Sequence, residues 1–246
     1  MIDAGTLLRA AGVAMFSIAL VQAVQPSADL LGPLHELRNH ELDSALRGLA
    51  SLCPGSRKEI SRAADRGDVA CKILVFATVE KESRPDPKGF ALVYWKLGDD
   101  LKQREPDLAR ALFEVSIERD QKDAGAWHSL AMLEHDRGRY QEALEAFQRS
   151  VELDPTEPNT LYWLGTTQME LGKLDEAEGT FARVLRIDPK HARVWFRRGE
   201  MEMTRGNYAA AIKHFEKAHA EGVPKSETKP KIKECETHLS QPDSGR

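Results

Sequence analysis

Residues 124–155 read AGAWHSLAMLEHDRGRYQEALEAFQRSVELDP, and this stretch decides the fold. It holds two short runs with helical spacing of apolar residues, joined at Arg137-Gly138-Arg139. The same pattern returns 34 residues later, and again 34 residues after that. The recurring positions are Trp127, Leu161 and Trp195, then Gly138, Gly172 and Gly206, then Tyr140, Leu174 and Tyr208, then Ala143, Ala177 and Ala211, then Phe147, Phe181 and Phe215. A period of this length with two helices per unit predicts a stacked array of helical hairpins.

Small residues and helix stops recur within each unit. Gly138, Gly172 and Gly206 stand where the first helix ends, as a left-handed cap requires. Pro155 and Pro189 end the second helix of two units, because the residue before a proline avoids helical dihedral angles. The positions predicted to let two helices approach are Ala131, Gly165 and Gly199 on the first helix and Ala143, Ala177 and Ala211 on the second.

On these residues, the chain from Phe90 onward resembles tetratricopeptide repeat proteins. The resemblance is strong for residues 124–157, 158–191 and 192–225. It is weaker for 90–123, where Tyr94, Gly98 and Phe113 fit but Pro106 departs from the pattern. The resemblance implies an all-α, right-handed α-solenoid of helix-turn-helix repeats. The apolar residues Ile232, Cys235 and Leu239 are expected to turn inward and predict a capping helix over residues 226–240. Residues 241–246 are expected to form a disordered tail.

The resemblance also implies that the first helices line a concave groove. Such a groove would bind a peptide or an amphipathic helix of a partner protein. The groove residues expected on this basis are His128, Met132, His135, Asn159, Tyr162, Thr166, Met169, Arg193, Phe196, Glu200 and Met203. Met169 and Met203 fit packing between units equally well. His128 and Met132 argue against the subfamily that grips acidic chaperone tails, since they replace its polar clamp residues.

The N-terminal part, residues 1–25, predicts a hydrophobic helix. Its uncharged core, Ala10 to Ala23, suits a cleaved signal peptide, an uncleaved membrane anchor or a buried helix of a cytosolic protein. The first two readings predict a bacterial protein that is exported or anchored in the membrane, with its repeats on the periplasmic side.

Residues 26–89 predict a helical region with one degenerate repeat, and Arg84 to Gly89 a turn-rich linker to the array at 90–225. An amphipathic helix is expected over residues 33–52. Cys53 and Cys71 flank a predicted hairpin. They are a candidate disulfide in an oxidising compartment, or two buried thiols otherwise.

Composition and motifs exclude several classes of function. The net charge of -4 and the absence of a basic aromatic-rich run argue against nucleic acid. No phosphate-binding loop or metalloprotease motif occurs. Glu134-His135-Asp136 lacks the further ligands that a metal phosphohydrolase needs. We therefore expect no catalytic residue, no metal, no cofactor and no small-molecule substrate.

The sequence thus predicts a non-catalytic protein-interaction scaffold in envelope assembly. The alternatives are an accessory subunit of a membrane glycan polymerase or ligase complex, and a cytosolic tetratricopeptide adaptor.

Overall fold

The computed structural model describes residues 28–39, 41–53, 55–82 and 87–240. This part of the chain is all-helical, and the expectations for residues 1–25 and 241–246 lie outside it. No helix among the described residues combines the length and the apolar character needed to cross a bilayer. The thirteen helices in the described ranges are α1 Ala28–Arg38, α2 Leu42–Leu52, α3 Arg57–Asp65, α4 Val69–Glu82, α5 Pro87–Leu101, α6 Pro106–Arg119, α7 Ala124–Asp136, α8 Tyr140–Leu153, α9 Pro158–Glu170, α10 Leu174–Ile187, α11 Ala192–Thr204, α12 Tyr208–Ala220 and α13 Lys225–Ser240.

The chain forms two compact units, divided between Leu133 and Glu134 within α7. In the first unit a buried polar network joins the N-terminal helices to α5 and α6. Tyr94 donates to Glu80 Oε2 at 2.9 Å, and Arg119 pairs with the same carboxylate while donating to the Leu37 carbonyl at 2.9 Å. Tyr94 and Arg119, which follow the linker expected at residues 84–89, thus bind helices that precede it, and all of these helices belong to one compact unit.

The prediction of one continuous helix over residues 33–52 is wrong. Two helices, α1 and α2, occupy that stretch and pack against each other. Leu34, Leu37, Ala45 and Leu49 are buried, so the apolar pattern was correct although the helix is broken near Asn39. Helix α3 begins with a capping box formed by Ser56 and Glu59. The Ser56 amide donates to Glu59 Oε2 at 2.7 Å.

Cys53 and Cys71 lie next to each other in the first unit, at the end of α2 and in the first turn of α4. Their Cα atoms are 5.6 Å apart and their sulfur atoms are bonded. A Cα separation of that size is typical of disulfides. The oxidation state of the pair in solution stays a prediction.

In the second unit the hairpins α9–α10 and α11–α12 end their first helix in the same way. Gly172 has φ 73°, its amide donates to the Met169 carbonyl at 2.8 Å, and the Lys173 amide donates to the Gln168 carbonyl at 2.8 Å. Gly138 and Gly206 repeat this geometry with φ 72° and 78°. The predicted left-handed caps are confirmed at all three glycines.

The close approach predicted at Gly165 is also confirmed. A Cβ atom added there would lie 2.6 Å from Cε1 of Phe181, which is fully buried. Gly199 and Phe215 repeat the contact at 2.7 Å. The absence of a side chain on the first helix thus makes room for the phenylalanine ring of the second.

Helix α13 packs against α12 at the end of the array. Cys235 is fully buried with Phe215, as expected for a packing residue. Leu239 was also expected to face inward, but it is 54% exposed. The inward face of the helix therefore ends before the last turn.

Candidate partner-binding surface

Helix α9 of the second unit presents two adjacent aromatic residues, Tyr162 and Trp163, both half-buried. Their ring centroids are 5.3 Å apart in an edge-to-face arrangement. The Tyr162 ring also stacks on His191, with centroids 5.3 Å apart. Aromatic pairs at such distances contribute about 0.5–1.5 kcal/mol beyond area burial. The rings are therefore held in place before any partner arrives.

His135, at the end of α7, extends this group of rings. Its ring lies 5.2 Å from Trp163 and 5.3 Å from Tyr140, both edge-to-face. Both ring nitrogens are buried and have no hydrogen-bond partner among the described residues. Asp136 Oδ1 lies 3.9 Å from Nδ1. Burial lowers the pKa of His135, and the carboxylates of Asp136 and Glu170 only partly oppose this. The imidazole is thus neutral at pH 7.

Arg197 of α11 adds a fixed positive charge beside Tyr162. Its Nε donates to the Tyr162 hydroxyl at 3.4 Å, and its Nη1 donates to Glu200 Oε2 at 2.8 Å. Burial opposes the charge, but the bonds to Tyr162 and Glu200 raise the pKa of Arg197. Within the described part of the chain, Arg197 Nη2 and the Tyr162 hydroxyl hydrogen have no acceptor. Two donors are left for an outside group. We name His135, Tyr162, Trp163, His191 and Arg197 the aromatic surface.

The structure brings only some of the expected groove residues to this surface. His135 and Tyr162 belong to it, and Glu200 borders it through Arg197. Asn159 is exposed at the start of α9, and Met169 is half-buried near its end. His128 and Met132 are half-buried in the first unit.

Three of the expected residues are engaged in packing. Thr166 is 1% exposed, and its hydroxyl donates to the Tyr162 carbonyl at 3.0 Å. Phe196 and Met203 pack on the core around Phe215 and Cys235, and the Phe196 and Phe215 rings are 5.2 Å apart. The side chains of these three residues are thus held by the array itself, and their role in partner binding stays a prediction.

Arg193 is exposed but paired. Its guanidinium donates to both carboxylate oxygens of Glu227 on α13, at 2.5 and 3.3 Å. Lys231 of the same helix lies 4.0 Å from Glu200 Oε1. The last helix thus extends the row of charged groups that begins at Arg197.

Sequence reasoning missed Trp163, His191 and Arg197. Trp163 and Arg197 occupy the same position, 34 residues apart in successive units, immediately after the expected groove residues Tyr162 and Phe196. A large or charged side chain recurring at that position is the signal that could have found them. His191 precedes α11, where only the packing against Tyr162 shows its role.

Glu134, His135 and Asp136 lie in three different surroundings. Glu134 is 1% exposed and lies 3.2 Å from Arg139, His135 packs among aromatic rings, and Asp136 is exposed.

Comparisons with known proteins agree with this geometry. Three family models described as tetratricopeptide repeat match residues 92–158, 134–195 and 192–221. The array of this chain is therefore made of tetratricopeptide repeats. A comparison with curated proteins gave no match.

Among solved structures, the chain is similar to MamA, with 24% identity, a TM-score of 0.54 and coverage of 70% of this chain and 96% of that chain. It is also similar to MamA from Desulfovibrio magneticus RS-1, with 16% identity, a TM-score of 0.54 and coverage of 64% and 94%. A third likeness is to YrrB, with 17% identity, a TM-score of 0.56 and coverage of 68% and 85%. At these identities the likeness concerns the fold.

Proposed function

We propose that this protein is a non-catalytic scaffold that binds an extended segment of a partner protein on the aromatic surface. The observation that carries the proposal is the pair of unused donors, Arg197 Nη2 and the Tyr162 hydroxyl, beside ordered rings. The YrrB structure is described as a tetratricopeptide protein with an unusual peptide-binding site, which makes a peptide a reasonable first probe.

The surface specifies the chemistry of the segment. Trp163 and Tyr162 offer rigid apolar faces for an aliphatic or aromatic side chain. Arg197 and the Tyr162 hydroxyl require an oxygen acceptor next to that side chain. A hydrogen bond to a charged group contributes about 1.5–3 kcal/mol, so its loss should weaken binding by about 10- to 100-fold.

To test this proposal, peptides that bind the full-length chain are selected from a random displayed library. The affinity of the selected peptides is then measured for wild type, Arg197→Ala, Tyr162→Phe and Trp163→Ala. Arg186→Ala is the matched control, since Arg186 is an exposed arginine on the second helix α10. We expect Arg197→Ala and Trp163→Ala to weaken binding while Arg186→Ala does not. Equal affinity for wild type, Arg197→Ala and Trp163→Ala would remove the aromatic surface as the binding site.

The cellular setting is a further part of the proposal. If residues 1–25 export or anchor the chain, the scaffold serves envelope assembly, or a membrane glycan polymerase or ligase complex as its accessory subunit. If they do neither, it is a cytosolic adaptor. Mass measurement of the N-terminus after cell fractionation separates these cases. A soluble chain with its first residues intact would exclude export and anchoring together.

A further inference from the structure

A second group of chemically active side chains lies in the first unit, away from the aromatic surface. Cys53 follows α2, Asp68 precedes α4, and Cys71 lies in the first turn of α4. The two sulfur atoms and a carboxylate oxygen of Asp68 all lie within 4.8 Å of one another. Three donor atoms from two segments therefore converge on one point.

The carboxylate is held by the same helix that carries one sulfur. Asp68 Oδ1 accepts a hydrogen bond from the Cys71 amide at 2.9 Å. The second carboxylate oxygen has no partner within the described ranges. Both cysteines are 3% exposed, whereas Asp68 is exposed. The group thus has a buried sulfur side and a carboxylate side open to solvent, through which an ion can enter.

We propose that the reduced form of this group is a binding site for a thiophilic divalent cation of the zinc class. The Cys53 and Cys71 thiolates and the free oxygen of Asp68 supply three ligands, and water supplies the fourth of a tetrahedral site. Two thiolates with one carboxylate suit Zn²⁺ or Cd²⁺ rather than Mg²⁺ or Ca²⁺, which prefer oxygen ligands. Binding displaces one proton from each thiol. This inference does not depend on the proposed function.

Oxidation and metal binding exclude each other because each uses both sulfurs. A low-molecular-weight disulfide, such as glutathione disulfide, takes two electrons and two protons from the thiol pair. The products are the Cys53–Cys71 disulfide and two thiols, and a bound cation would be released. The bonded pair and the metal site are then two states of one site, selected by redox poise.

Cadmium titration of the full-length protein tests the proposal, because Cd²⁺ bound to thiolate has an ultraviolet charge-transfer band. The protein is reduced with a phosphine, titrated with Cd²⁺, and the band is then displaced with Zn²⁺. We expect one equivalent of Cd²⁺ per chain, full displacement by Zn²⁺, and no band in Cys53→Ser, Cys71→Ser or the oxidised protein.

Asp68→Asn is the decisive variant. Asparagine caps a helix as well as aspartate does, so the start of α4 is preserved while the charged ligand is lost. We expect its Cd²⁺ affinity to fall by at least about tenfold. The controls are Asp65→Asn, an exposed neighbouring carboxylate, and Cys235→Ser, the buried free thiol of α13, and both should bind like wild type.

Three results would overturn the proposal. They are the absence of a band in the reduced wild type, equal binding by Asp68→Asn and Asp65→Asn, and undiminished binding by the oxidised protein. Should a cysteine variant fail to fold, the melting temperature of reduced wild type with and without Zn²⁺ replaces it. A rise with Zn²⁺ supports the site, and no rise refutes it.

Discussion

The contact between Gly165 and Phe181 leads to our sharpest stability prediction. Gly165→Ala would place a methyl group 2.6, 2.9 and 3.0 Å from three ring atoms of Phe181. That ring is fully buried and cannot swing aside. Overpacking of this kind costs about 1–3 kcal/mol, and the gain from replacing a helical glycine with alanine is about 1 kcal/mol. We expect a net loss of up to about 2 kcal/mol in the free energy of unfolding.

The chain provides a matched control in the same hairpin. Gly179 of α10 is exposed, and an added Cβ atom there would have no neighbour within 4 Å. Gly179→Ala should therefore stabilise the protein by about 1 kcal/mol through helix propensity alone. Urea unfolding followed by helical circular dichroism measures both variants.

A double-mutant cycle identifies the contact itself. Phe181→Leu removes ring atoms next to Gly165, so Gly165→Ala should cost less in that background than in wild type. If Gly165→Ala proves as stable as Gly179→Ala, or costs the same in the Phe181→Leu background as in wild type, the close approach does not limit this position.

Four further changes test other parts of the structure. Gly172→Ala, at φ 73°, should lower the unfolding free energy by about 1–2 kcal/mol, measured in urea. Tyr94→Phe should cost about 2 kcal/mol in the same assay, because the carboxylate of Glu80 loses a buried donor. Phe196→Ala should lower the free energy of unfolding by about 2–4 kcal/mol and with it the melting temperature. An unchanged melting curve would instead favour Phe196 as a partner-binding residue. The pKa of His135 is lower in the folded chain than in the unfolded chain, so the unfolded chain binds the His135 proton more tightly. The contribution of His135 to stability is therefore present above about pH 6.5 and is lost as the pH falls through the lowered pKa of the folded state. His135→Phe should therefore flatten the decline of stability below about pH 6.5 relative to wild type.

Sequence periodicity was sufficient to predict the repeat hairpins because their geometry depends on single residues. A left-handed turn at Gly172 and a close helix approach at Gly165 each require the absence of a side chain. Such requirements recur every 34 residues and are visible without any knowledge of neighbouring units.

The buried network of the first unit shows what periodicity cannot predict. Arg119 stands at the end of α6, where a charged residue is usually exposed to solvent. It is instead 8% exposed, because Glu80, 39 residues earlier, supplies its counter-charge. The pairing depends on how α4 packs, and α4 lies outside the strongly repeated part of the chain. The same limit applies to Phe196, which was expected to line the groove but packs on the cluster of Phe215 and Cys235.

The placement of the aromatic surface follows from contacts between successive repeats. Trp95 donates to Ser129 Oγ at 2.8 Å in the first unit, and Arg197 donates to the Tyr162 hydroxyl in the second, across 34 and 35 residues. In both cases an aromatic residue on the first helix of one repeat is hydrogen-bonded to a residue on the first helix of the next repeat. That second residue, Ser129 or Arg197, comes immediately after an expected groove residue. The Tyr162 ring is therefore oriented by residues of the following repeat. Arg193 bonds to Glu227 of α13 across 34 residues. Helix α13 thus continues this series of contacts beyond the last repeat. Helix α13 therefore extends the row of charges beside the rings while it packs against α12.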